Sequence, residues 1–356
     1  MRINNTEDYV KILDQIERNT VTKSAFIYAT FLDDRLQLRL FTKAENKLIT
    51  VYGTTSTEIF QTATKLRQEI TNPIKRRTGS YLPPAQQLYQ WLIKPLEAEL
   101  EEQKINNLVF IMDYGLRSLP IAALHDGQRF LVEKYSIGLM PSLSTTDTSY
   151  RNIQNEPVLA MGISEPNNNI EEVKKEGLSF LPAVPNEIKT IVELRGGKSL
   201  LNQQATLENL KTESRNFSIV HLATHSEFKG ELNNSYILLW DQLLRLNQIR
   251  ELGWNKRQPP IELLVLSADK TAAGDEKMEF GFVGFAVKAG VKSVLASLWY
   301  VSDEGTSELM IKFYQQLKTA PIKAEALRQA QLEMIRSDSF FHPYYWSAFT
   351  MIGSPW

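Results

Sequence analysis

Five short, continuous apolar runs recur down the chain: LVFIMD from Leu108, PVLAMGIS from Pro157, FSIVHLAT from Phe217, IELLVLSA from Ile261 and VKSVLASLW from Val291. A strand with one wet face alternates polar and apolar residues, whereas a run that is apolar at successive positions must be covered on both faces. Segments of helical period lie between the runs, at 187–194, 207–211 and 280–289. Buried strands alternating with helices predict an α/β fold built on a largely parallel sheet.

The first part of the chain has another rhythm. Tyr9, Val10, Ile12, Leu13 and Ile16 fit a short amphipathic helix over about 7–18. FIYATFL (26–32), then Leu36, Leu38 and Leu40 alternating with Gln37 and Arg39, then KLITVYG predict a β-meander turned at Asp33-Asp34. Helices are expected over 57–70 and 84–101, with the basic stretch Lys75-Arg76-Arg77 read as a solvated loop between them. Regular βα alternation begins near Asn155-Glu156-Pro157. The expected organisation is therefore a lead-in over 1–24, one half over 25–154 and a second over 155–356, packed together.

The 356 residues carry 40 basic against 41 acidic side chains, too even a balance to steer a nucleic acid or an anionic membrane. No run approaches the roughly 20 apolar residues that span a bilayer, and the N-terminus has no signal-peptide core, so the expected location is the cytoplasm. There is no cysteine, hence no thiol nucleophile and no thiolate metal site.

In open α/β sheets, reacting groups collect at the carboxyl ends of strands. Two such ends stand out, His221-Leu222-Ala223-Thr224-His225-Ser226 and Leu266-Ser267-Ala268-Asp269-Lys270. His221 is expected within its strand as a core histidine, and His225 just past the end, where it can meet a substrate. The i, i+4 spacing of the two would suggest a metal on a helix; on a strand end with no third ligand it does not, and neither metal nor cofactor is expected.

At these residues the chain resembles the CHAT family of caspase-like, separase-related domains, often found behind tetratricopeptide repeats in bacteria. The likeness is carried by LVFIMDYGLRSLPIAALHDG (108–127), PSLS (141–144), HLATH, LSADKTAAGDE, KAGVKSVLASLW (288–299) and HPYYWSAFTMIG (342–353), and is strongest to the cyanobacterial branch. It implies a degenerate caspase-like half followed by a caspase-like half with a His/Cys dyad. His225 then matches the catalytic histidine, and Asp269 stands where the nucleophilic cysteine belongs. Ser226 replaces the glycine whose N–H helps hold an oxyanion, and Lys270 replaces a more usual glutamate or arginine.

A carboxylate cannot do the thiolate's work. Attack by Asp269 on an amide would form an acid anhydride while expelling an amine, an uphill exchange, and its charge would repel the oxyanion. Ser267, two residues earlier on the same side of its strand, belongs to the shared LSA pattern rather than to the nucleophile's place. Asp275, Glu276 and Glu279 are read as a solvated loop, or as an acidic wall for a basic side chain. Gly281-Phe282-Val283-Gly284 lacks the context of a phosphate loop. His125 is read as a surface residue, and Tyr344, Tyr345 and Trp346 as core aromatics or the lining of a peptide groove. The expected function is an inactive protease fold that binds or regulates a protein partner, either one bearing tetratricopeptide repeats or an active CHAT protease. The alternatives are a residual hydrolase using His225 with Asp269, Ser267 or water, and a small-molecule sensor.

Overall fold

The structure, a computed structural model, describes residues 6–112, 116–227, 235–268 and 290–356. It forms two compact units, Met1–Tyr150 with Ala320–Trp356, and Arg151–Thr319. The chain enters the first unit through the helix Thr6–Thr20 and the strands β1 (Ser24–Leu32), β2 (Arg35–Phe41), β3 (Asn46–Tyr52), β4 (Asn107–Met112) and β5 (Ser136–Leu139). The second unit holds β6 (Val158–Gly162), β7 (Gly197–Leu201), β8 (Ile219–Thr224), β9 (Ser226–Glu227), β10 (Tyr236–Leu238), β11 (Leu243–Arg245), β12 (Leu263–Ala268) and β13 (Ser293–Ser297). The chain then returns to the first unit with the helix Lys323–Ile335 and β14 (Phe349–Gly353).

The strands of the first unit run in the order β3-β2-β1-β4-β5-β14, antiparallel in the meander and parallel from β1 onward. Residues paired across the meander share a face, in the rows Phe26–Phe41–Asn46, Tyr28–Arg39–Leu48, Thr30–Gln37–Thr50 and Leu32–Arg35–Tyr52. The opposite face buries Leu36, Leu38 and Leu40, and there Phe31 meets Phe60 of the helix Ser56–Thr71. The helix Thr6–Thr20 crosses the first row. Asn46 Nδ2 donates to Thr6 Oγ1 at 3.0 Å, Tyr9 stacks on Phe41 at 4.0 Å and meets Phe26 edge-on at 5.6 Å, and the Tyr9 and Tyr28 hydroxyls bond at 2.8 Å.

The strands of the second unit run β13-β12-β8-β6-β7, every pair parallel, with a separate antiparallel sheet β11-β10-β9. This is the two-face-covered sheet that the apolar runs predict: β6, β8 and β13 are buried at every residue. Gly162 admits the helix Val184–Arg195, since a Cβ there would lie 2.6 Å from Val184 Cγ1 and 2.9 Å from Ile188 Cγ1.

Packing divides the chain otherwise than into 25–154 and 155–356. Residues 320–356 pack with the first unit because β14 pairs in parallel with β5 (Met351↔Gly138), and Arg328 donates to the carbonyls of Val132 and Glu133 at 2.8 and 2.7 Å. The basic loop is not merely solvated. Lys75 pairs with Glu69 at 2.6 Å and the Arg76 guanidinium lies 3.8 Å from the Tyr344 ring centroid. Tyr344 and Trp346 are buried, as core aromatics should be, and His125 is buried rather than at the surface. It accepts from the Gly127 N–H at 3.0 Å and packs on Phe130.

Val21, just past the helix Thr6–Thr20, has φ 58° and is 85% exposed. A β-branched residue in the left-handed region is strained, and with so little packing Val21 has no burial to lose. Val21→Gly is expected to stabilise the protein by about 1 kcal/mol, after allowing for glycine's looser unfolded state. Thermal unfolding checks this; a lowered midpoint would show that the strain is not relieved.

Candidate functional site

β8 is a central strand, with His221 in register with Ala160 of β6 and Val265 of β12. The two strand ends singled out in the sequence are neighbours: β8 and β12 pair in parallel, and Thr224, before His225, lies opposite Ala268, before Asp269. Asp269, Lys270, Asp275, Glu276, Glu279 and the 281–284 glycine segment lie outside the described residues.

His221 is fully buried, and its Nε2 lies 2.9 Å from Glu187 Oε1 on the helix Val184–Arg195. Its ring stands edge-on to Tyr314, 5.5 Å away, on the helix Asp303–Gln316. Carboxylate and imidazole pair in the layer under the sheet, away from solvent, while His221 Nδ1 is buried without a hydrogen-bond partner among the described residues. The helices that cover the parallel strands thus supply the partner of one ring nitrogen, Nε2, and pack the ring as a core residue.

His225 lies beyond the end of β8 and is 3% exposed, less accessible than the sequence suggests. Its Nε2 is 2.7 Å from the carbonyl of Ser179, so that nitrogen carries the proton and donates. The bond fixes the tautomer and leaves Nδ1 as the nitrogen that can take up a further proton. The neighbouring sheet holds the segment in place. Leu238 N–H donates to the His225 carbonyl at 2.8 Å, and the Thr224 hydroxyl donates to the Leu238 carbonyl at 2.9 Å. The Ser179 loop is held in turn by Leu181 N–H on the Ser164 carbonyl at 2.9 Å and Ala183 N–H on Asp303 Oδ2 at 2.6 Å. Burial, offset by the Ala183 bond, raises the Asp303 pKa.

Ser226 starts β9, is buried, and pairs with Ile237 of β10. Ser267 is buried on β12 opposite Ala223. The sequence did not point to Ser179, Glu187 or Asp303. Ser179 acts through its backbone carbonyl, and the two carboxylates look like ordinary acidic first-turn residues of helices.

Residues 82–354 match the CHAT domain family. The chain belongs to that family. Among curated proteins, this CHAT chain is 23% identical over 359 residues to tetratricopeptide repeat protein 28 of Homo sapiens, and 23% over 353 to that of Mus musculus. Each match covers 84% of this chain but 14% of the relative, so the CHAT chain spans a small part of either. Among solved structures, the CHAT chain is similar to one in the Saccharomyces cerevisiae separase–securin complex at 2.6 Å resolution. The TM-score is 0.56 and the identity 12%, over 98% of this chain and 31% of that one. A second structure of that complex, at 3.0 Å, gives a TM-score of 0.55 with the same identity and coverage. The CHAT fold here is accordingly the mixed α/β, mostly parallel fold of separase, as the resemblance implied.

Proposed function

We propose that this is a catalytically silent CHAT domain, a protease fold that binds or regulates a protein partner. The observation that carries the reading is a chain without cysteine, in which the motif resemblance sets Asp269 at the nucleophile's place. A carboxylate gives no thioester, and the anhydride it would form lies uphill from an amide. The relatives named for tetratricopeptide repeats support a partner bearing such repeats, with an active CHAT protease as the other choice. A role in cytoplasmic bacterial signalling, in the cyanobacterial branch, rests on the motif resemblance alone.

The wild-type protein is expected to show no turnover of a mixed peptide library. Asp269→Cys should restore a cysteine alkylated by iodoacetamide below the ordinary thiol range near pH 8.5, and that low-pH reactivity should disappear when His225→Ala is added. Wild-type turnover lost in both His225→Ala and Asp269→Ala would overturn the silent reading. It would favour the hydrolase alternative, to which the fixed His225 ring lends itself as a base.

In the dyad that the resemblance implies, the Asp269 carboxylate favours the charged ring and should raise the His225 pKa, making it a poor base. The stabilisation is then fully present below the unfolded histidine pKa and fades as pH rises through the folded one. An NMR titration should find a lower His225 midpoint in Asp269→Asn than in wild type; equal midpoints would remove this explanation of the silence.

A further inference from the structure

The meander of the first unit is clothed unevenly. Its first cross-strand row, Phe26–Phe41–Asn46, lies under the helix Thr6–Thr20, whose Tyr9 stacks on Phe41 and bonds to Tyr28. Each row beyond has at least one exposed residue and no buried one: Thr30 and Arg39 are exposed, Leu48 is 50% exposed, and Tyr52 is 74% exposed. Tyrosine and arginine are among the residues that interfaces favour, and here they share one regular sheet face with an exposed leucine.

We infer that these rows are a docking surface for an acidic amphipathic helix of a partner protein, laid beside the helix Thr6–Thr20. This is independent of what happens at the strand ends. The same face already shows how it takes a helix. Tyr9 supplies the aromatic contact, while Asp14 and Glu17 of that helix pair with Lys43, just past β2, at 2.7 and 3.2 Å. The open rows repeat that chemistry, with Leu48 and Tyr52 as the apolar element and Arg35 and Arg39 as the cations. No residue of those three rows is a carboxylate. Among the described residues Arg35 is tied only to the exposed Asp34 at 3.4 Å, a surface pair of little strength, and Arg39 rests over Phe41 at 5.8 Å.

The dimensions agree. Successive rows are about 6.8 Å apart along the strands, and packed helices lie about 8–10 Å axis to axis. A second helix beside the first therefore covers Tyr28–Arg39–Leu48 and Thr30–Gln37–Thr50, with Tyr52 at its outer rim. Its apolar stripe would meet Leu48 and its carboxylates the two guanidinium groups, in the helix-on-surface mode of recognition.

The test uses the full chain and a labelled helical peptide of about five turns, with leucine and tyrosine at helical spacing flanked by glutamate, and an isomer with every glutamate replaced by lysine. By fluorescence anisotropy the acidic peptide should bind wild type saturably and more weakly as salt rises, and the lysine isomer should not. Arg35→Glu with Arg39→Glu, and separately Tyr52→Ala, should each weaken binding roughly ten-fold or more. If the double reversal unfolds, Arg39→Ala reads the same contact. Absence of saturable binding, equal binding by the variants, or equal binding of both peptides would overturn the proposal. So would sedimentation showing that wild type self-associates and that Tyr52→Ala abolishes it, since a second copy would then be the occupant.

Discussion

Trp356→Ala is expected to cost the first unit about 3–5 kcal/mol, the range for a buried large aromatic cut back to alanine. The Trp356 side chain is buried in one cluster with Leu13, Ile16, Phe26, Val109 and Met140, contributed by the helix, the meander, β4 and the residue just past β5. It meets Phe26 edge-on at 5.9 Å, and its Nε1–H donates to the Thr148 carbonyl at 3.0 Å. The residue before it is packed just as closely: a Cβ on Gly138 of β5 would lie 2.6 Å from Pro355 Cβ, and the Pro355 carbonyl accepts from Ala324 N–H at 2.9 Å. With the backbone so fixed, the site cannot collapse into the space an indole leaves, and the Thr148 carbonyl loses its donor. Against a total stability of about 5–15 kcal/mol, the urea midpoint of the first unit should fall steeply. Trp356→Phe should recover most of the apolar contribution but not the hydrogen bond. A loss below about 1 kcal/mol for alanine would mean that the cluster repacks around the gap.

Lys134→Met is expected to cost about 2 kcal/mol at neutral pH, because it removes the cation that two partly buried carboxylates share. Lys134 Nζ, on a side chain 12% exposed, lies 3.0 Å from Glu97 Oε1, 2.7 Å from Asp126 Oδ2 and 3.1 Å from Tyr89 Oη. Burial alone would push Glu97 up, but hydrogen bonds from Lys94, Tyr89 and Lys134 outweigh it and hold Glu97 at about 2. Asp126 is lowered for the same kind of reason, its burial outweighed chiefly by Lys134. A carboxyl whose folded pKa is depressed stabilises the fold fully above its unfolded pKa, and loses that contribution as pH falls through the folded one. The difference between wild type and Lys134→Met should therefore be widest near pH 7 and shrink from about pH 4 toward pH 2. Denaturant titrations at several pH values measure it; a gap that stays constant across that window would show that Lys134 acts by packing alone.

Much of this protein was legible in its sequence. The five apolar runs correspond to β4, β6, β8, β12 and β13, and the alternation of Leu36, Leu38 and Leu40 names the buried face of β2. Periodicity reports such features because burial acts residue by residue along an element. The family motifs carried the likeness to CHAT domains. Less was legible about His225. Its place just past β8 follows from the sequence, but its burial does not, because that depends on the loop carrying Ser179 and on β10.

The sequence by itself determined the layered α/β class, the family, and the absence of any thiol. These follow from local pattern and composition. Only the tertiary structure decided that residues 320–356 pack with the first unit, that Arg76 stacks on Tyr344, that Glu187 pairs with His221 away from solvent, and that a backbone carbonyl sets the His225 tautomer. Each is a contact between positions far apart in the chain. A side chain's partner across such a distance leaves no periodic trace, and a carbonyl oxygen is the same at every residue, so neither can be read before the chain is folded.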